Sequence, residues 1–98
     1  MKKEIRIIEK RPSEPCREIT IPNTLEAFQK AVGGFIEPVT MCTDMAIICN
    51  EEGLIMGLPY NCSILGLTFV GTILAVGVKG DEFTDFPGTL EEFERYWL

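Results

Sequence analysis

The chain contains no histidine. That absence removes the side chain whose ordinary pKa lies nearest neutrality, the commonest general base and a leading metal ligand. The four cysteines, Cys16, Cys42, Cys49 and Cys62, form no Cys-x-x-Cys pair, so the spacing that usually marks structural zinc is missing as well. No apolar run reaches the ~20 residues a membrane-spanning helix needs. The longest, residues 64–78, is broken by Gly66, Thr68, Gly71, Thr72 and Gly77. The start, Met1-Lys2-Lys3-Glu4-Ile5-Arg6, leads into no signal-type apolar stretch. These absences lead us to expect a cytoplasmic location, reduced thiols, no membrane partner, no metal and no cofactor.

Positive charge is also scarce, with nine Lys and Arg against fifteen Asp and Glu and a net charge of −6. Nucleic-acid binding draws on clustered cations, and here they gather only at Lys2, Lys3, Arg6, Lys10, Arg11 and Arg17, so a nucleic-acid partner is not expected. Conventional nucleophilic catalysis is not expected either. A catalytic cysteine needs a histidine base or an electropositive pocket, and Ser13 and Ser63 have no activating partner in the pattern. We therefore expect no enzyme and name no catalytic residue.

What the chain does contain is material for one core. It has 98 residues, 46% of them apolar, which reads as a single domain over 1–98. A chain of this length buries about 60–65% of the surface its unfolded form exposes. Residues 4–9 are β-branched and read as a strand, and residues 17–21 alternate as a second. Asn23 and Glu26 fit a capping box for a helix whose apolar face is Leu25, Phe28, Ala31 and Val32, ended by Gly33-Gly34. Residues 35–41 read as a strand held at an edge or bulge by Pro38. Residues 45–49, apolar throughout, read as a central strand that turns at Asn50-Glu51-Glu52-Gly53 and returns over 54–58. An irregular stretch follows Tyr60, residues 69–76 form one strand, and Thr89-Leu90-Glu91-Glu92 caps a short helix with Leu90, Phe93 and Trp97 on its apolar stripe. The expected fold is α+β: a mostly antiparallel sheet of five to six strands, one helix packed on a face and a short C-terminal helix.

The candidate site is the polar hairpin segment, Cys49-Asn50-Glu51-Glu52-Gly53 followed by Gly57-Leu58-Pro59-Tyr60-Asn61. Glu37, Asn50, Glu51, Glu52, Tyr60 and Asn61 offer carboxylates, amides and a phenol for a hydroxyl-rich or nucleotide-like ligand. The simpler alternative is plain turn chemistry. Glu51 and Glu52, with or without Asp44, lack the spacing of a glycosidase pair or a cation site. A second candidate is the aromatic C-terminus, where Phe86, Phe93, Tyr96 and Trp97 either anchor a homo-oligomer interface or cover the sheet.

Four pieces of the chain carry a resemblance. They are Leu25-Glu26-Ala27-Phe28-Gln29-Lys30-Ala31-Val32-Gly33-Gly34-Phe35-Ile36-Glu37, Cys49-Asn50-Glu51-Glu52-Gly53, Gly57-Leu58-Pro59-Tyr60-Asn61 and Val70-Gly71-Thr72. In this order they resemble the domain-of-unknown-function family numbered thirty-eight forty-six, over about half the chain. The resemblance implies a small protein of phages, plasmids and conjugative elements, and it supplies no activity. The family pattern continues after the second Asn with a basic residue where this chain has Cys62, so an anion contact that such a residue would make in relatives is not expected here. The expectation is a non-enzymatic accessory protein of a mobile element that binds a nucleotide-like signal or a host protein, with a homo-oligomeric interaction module as the alternative and a carboxylate-based hydrolase or metal enzyme a distant third.

Overall fold

A strand that is apolar at every position needs cover on both faces. Two stretches of this chain have that character, residues 45–49 and 73–76, and the computed structural model, which describes residues 2–98, covers both. The architecture is α+β. The main sheet runs in the order β2 (Arg17–Pro22), β1 (Glu4–Lys10), β7 (Ile73–Lys79), β4 (Met45–Asn50), β3 (Ile36–Cys42), and β8 (Glu82–Thr84) pairs with the far end of β7. Every pairing is antiparallel. A separate two-stranded hairpin is formed by β5 (Tyr60–Ile64) and β6 (Leu67–Val70), and two helices complete the fold, α1 (Leu25–Val32) and α2 (Leu90–Tyr96).

The alternation of side chains along each strand divides the core in two. On one face Ile5, Ile7, Ala46, Ile48, Leu74 and Val76 meet Phe28 and Val32 of α1. On the other, Ile8, Met45, Ile47, Ile73 and Ala75 meet Cys62, Ile64 and Phe69 of the β5–β6 hairpin, together with Phe86 and Phe93. The sheet is thus sandwiched between one helix and a layer made of the hairpin and α2. Arg6 ties the second layer down: its guanidinium donates to the carbonyls of Phe86 and Gly88, while its backbone N–H donates to Asp85 at 2.9 Å.

Several boundaries differ from the sequence expectation, each for a local reason. Thr24, not Asn23, is the N-cap of α1, with its hydroxyl accepting from the Ala27 N–H at 3.1 Å. The Asn23 amide instead donates to the carbonyls of Lys2 and Phe83, joining strand ends. Residues 54–58 are not a strand. β4 already pairs with β3 on one side and β7 on the other, so no edge remained for a returning partner. The stretch expected to be irregular is β5, and the single strand expected over 69–76 is broken at Gly71. There a φ of 71° turns the chain out of the hairpin layer and into the sheet. The capping box of α2 is present as expected, with Thr89 and Glu92 bonded reciprocally at 3.1 and 3.0 Å. Pro38 lies on the edge strand β3, which carries its bulge at Thr40/Cys42.

Two positions generate predictions. A Cβ built on Gly77 would sit 2.0 Å from the Asp85 carbonyl oxygen, which belongs to the segment Arg6 holds. Gly77→Ala should therefore lower stability by about 3 kcal/mol, read as a lower urea midpoint, since backbone on backbone cannot yield as a flexible side chain would. Leu65 has φ 50° and Gly66 φ 81°, so the β5–β6 turn puts a bulky side chain in the left-handed region. Leu65→Asn, which suits that geometry, should raise stability by about 1 kcal/mol in the same assay.

Candidate functional site

The end of β4 builds the candidate site. Asn50 is 5% exposed, and each half of its amide is committed. Its Nδ2 donates to the Val32 carbonyl at the end of α1, 3.2 Å away, and lies 3.6 Å from the Met56 sulfur. Its Oδ1 accepts from the Glu52 N–H at 2.8 Å, an Asx turn that starts the following loop. Gly34 passes so near that a Cβ there would meet Nδ2 at 2.9 Å. The Glu51 N–H donates to the Phe35 carbonyl at 2.8 Å.

Loop 51–57 is therefore fixed at its root, and it is also bonded within itself. The N–H groups of Gly53, Met56, Gly57 and Leu58 reach the carbonyls of Asn50, Glu52, Leu54 and Gly53 at 2.8–3.2 Å. Gly53 is buried against Val70, where a Cβ would stand 2.8 Å from the valine methyl. Out of this ordered loop project Leu54, Ile55 and Met56, exposed by 82%, 86% and 54%. Phe35, whose carbonyl anchors the loop, is 62% exposed.

Beside the loop is an open cleft of about 270 Å³, walled by Leu54 and Ile55 on one side and by Thr68, Phe69 and Val70 on the other. Glu37, Asn50 and Glu51 line it, with the Cys49 thiol among them. Burial, and then the neighbouring Glu37 carboxylate, push the Cys49 thiol up to about 11, so the thiol is protonated at neutral pH and is no nucleophile. Burial also raises the thiols of Cys16, Cys42 and Cys62. All four cysteines are free, and among the described residues no three Cys, Asp or Glu side chains converge as a metal site.

The residues singled out from the sequence thus divide. Glu37, Asn50 and Glu51 share the cleft; Glu52, Tyr60 and Asn61 do not line it. Tyr60 is exposed on the hairpin, its hydroxyl 3.3 Å from Ser63 Oγ. Asn61 is a buried strut, donating to the carbonyls of Lys10 at 2.8 Å and Gly71 at 2.7 Å, which joins the end of β1 to the β6–β7 corner. Its Oδ1 is buried and accepts no hydrogen bond among the described residues. Of the aromatic interface candidates, Phe86 and Phe93 are 3% and 1% exposed and stack edge to face at 5.7 Å, so they cover the sheet and present no contact surface. Trp97 packs half-buried against the same core, leaving Tyr96 exposed. The three apolar loop side chains fall in the stretch whose pattern predicts a strand; the signal for a loop is their enclosure between Gly53 and Gly57.

A family model described as Domain of unknown function (DUF3846) matches residues 5–98. The chain belongs to this family. Neither a curated protein nor a solved structure matches it. In this chain Asn50 and Asn61 serve the scaffold, and the surface beside Asn50 is apolar and acidic. No helix among the described residues is long and apolar enough to cross a membrane.

The thiol in the cleft yields a pH prediction. A thiol with a folded pKa of about 11 and an ordinary value of 9.0 binds its proton more tightly when folded. Its stabilising contribution is complete below pH 9 and falls as the pH rises towards about 11. Urea midpoints measured between pH 8 and pH 11 should decline, and Cys49→Val should flatten that decline.

Proposed function

We propose that this protein is a non-enzymatic binding module, an accessory protein of a mobile element that engages a host protein through loop 51–57 and the cleft beside it. The observation that carries this reading is the exposure of Leu54, Ile55 and Met56 on a loop whose backbone is already ordered. A surface loop without a partner has no need of three consecutive large apolar side chains, and clustered apolar exposure marks contact surfaces. Burying each of them in a partner contributes about 1.5–3 kcal/mol, and a pre-ordered loop loses little entropy in the process. The scaffold thus does the work of presentation, and the cleft offers a pocket for one anchoring side chain of the partner.

The charges narrow the partner. Glu37 and Glu51 line the cleft, and Glu52 adds a third carboxylate to the exposed loop. An acidic rim favours a basic or neutral protein surface and repels phosphates, so a protein fits better than the nucleotide-like ligand the sequence alone left open. The same acidity disfavours insertion of the loop into an anionic membrane surface. The raised thiols and the committed amides of Asn50 and Asn61 support the non-enzymatic part of the reading.

The test is a photo-crosslinking amino acid placed at Ile55 in protein expressed in bacterial cells. A discrete adduct with one protein is expected, and wild-type protein should compete it away. Leu54→Asp or Ile55→Asp should weaken binding of the captured partner by at least tenfold, about 1.4 kcal/mol or more. Neither change should move stability by more than about 0.5 kcal/mol, since these side chains touch little of the fold. An adduct indifferent to both substitutions, or none at all, would refute the proposal.

A further inference from the structure

The two edges of the main sheet are built differently. The β3 edge carries Pro38 and a bulge between Thr40 and Cys42, both of which obstruct the addition of another strand. The β2 edge has neither: its register with β1 is unbroken from Glu4↔Pro22 to Glu9↔Arg17, and its only proline is its last residue. Among the described residues β2 pairs with β1 alone, which leaves the other side of its backbone unpaired within the sheet.

Above β2 lies a groove of about 460 Å³ between the strand and α1. Its floor is Ile19 and Ile21, both half-buried, and its wall is Ala27 and Ala31. The short alanine side chains leave that side of the helix open. One end of the groove is cationic. Glu9, 5% exposed, holds the Nε of Arg17 at 2.7 Å and of Arg11 at 3.3 Å, and Lys30 stands on α1 beside them. Both arginine contacts use Nε, and the two side chains remain 47% and 55% exposed. Arg11, Arg17 and Lys30 against Glu9 leave an excess of positive charge here on a chain whose net charge is −6. A buried carboxylate that fixes two half-exposed guanidinium groups next to an apolar trough prepares them for an external anion.

We propose that the β2 edge receives an extended acidic segment of a partner protein as an added antiparallel or parallel strand. The main-chain groups of that segment would pair with the open side of β2. Its alternate apolar side chains would close the groove over Ile19 and Ile21, and a carboxylate would meet Arg11, Arg17 and Lys30. Strand addition draws affinity from main-chain bonds and selectivity from alternate side chains, and each requirement has a counterpart on this edge. The surface is separate from loop 51–57, and neither reading depends on the other.

The probe is the blocked hexapeptide Val-Thr-Val-Thr-Glu-Thr, whose two valines and glutamate fall on one face of a strand, as Ile21, Ile19 and Arg17 do on β2. It is titrated into the labelled full chain with backbone amide shifts as the readout. The expected result is saturable shifts at residues 17–21. Lys30→Glu, on the exposed face of α1 and outside the Glu9 clamp, should weaken binding about tenfold while leaving the amide spectrum of the rest of the chain in place. A peptide with a central valine replaced by proline should bind no more than marginally, because it lacks a ladder donor. The proposal is overturned if residues 17–21 do not respond at millimolar peptide, if the same peptide with lysine in place of its glutamate binds equally well, or if the shifts fall on residues 51–57. It is also overturned if the chain dimerises through β2 and the peptide does not compete, which would make a second copy the occupant.

Discussion

The burial of β4 and β7 on both faces is the constraint from which the rest of the structure follows. A 98-residue chain has few elements with which to cover two faces of one sheet. α1 covers one, and the other receives the β5–β6 hairpin and the α2 segment. This requirement consumes Phe86 and Phe93, and it also explains Arg6. The ladder with β7 stops at Thr84, and the segment carrying Phe86 is then held against the sheet by the Phe86 N–H donating to the Arg6 carbonyl at 2.7 Å and by the Arg6 guanidinium donating to two carbonyls. Gly77 is glycine because Asp85 backbone must pass where a Cβ would be.

The same need for cover assigns the polar residues. A helix that ends over a buried sheet leaves carbonyls without partners, and the Asn50 amide satisfies that of Val32 while its oxygen starts the next loop. The corner that moves the chain from hairpin to sheet at Gly71 exposes another carbonyl to the interior, and Asn61 satisfies it. Asn50 and Asn61 are therefore explained by the orphaned backbone groups of a layered fold. What the scaffold leaves outside is the apolar loop tip and its carboxylates.

Much of this was legible in the sequence. The α+β class, the C-cap at Gly33, the box at Thr89/Glu92 and the edge position of β3 depend on local chemistry that a few residues carry. The failures have a common cause. Residues 54–58 look like a strand until β3 and β7 are known to occupy both sides of β4, and residues 69–76 look like one strand until the hairpin is known to need its own layer. Asn23 and Thr24 are both good caps, and the choice was made by a carbonyl sixty residues away, that of Phe83. For the site, the polar positions were legible but their roles were not, because whether an asparagine faces a ligand or an orphaned carbonyl is a tertiary fact. The groove beside β2 was invisible for the same reason: Glu9 reads as the end of a strand until Arg11 and Arg17 are seen to converge on it.

Local rules are kept through most of this chain and broken at its surface, and the distribution of the breaks carries the argument. A bulky residue in a left-handed turn at Leu65 costs stability, and so does holding Leu54, Ile55 and Met56 in water. Neither feature repairs anything in the core, since the core closes without them. An unguarded edge at β2 is a further liability, because the opposite edge shows that the fold accommodates a proline and a bulge. Costs that the scaffold does not require and could shed by single substitutions are expected where contact with another molecule sets the requirement. The acidic cleft and the cationic groove differ in sign, so one chain can offer them to two chemically distinct surfaces without either competing for the other.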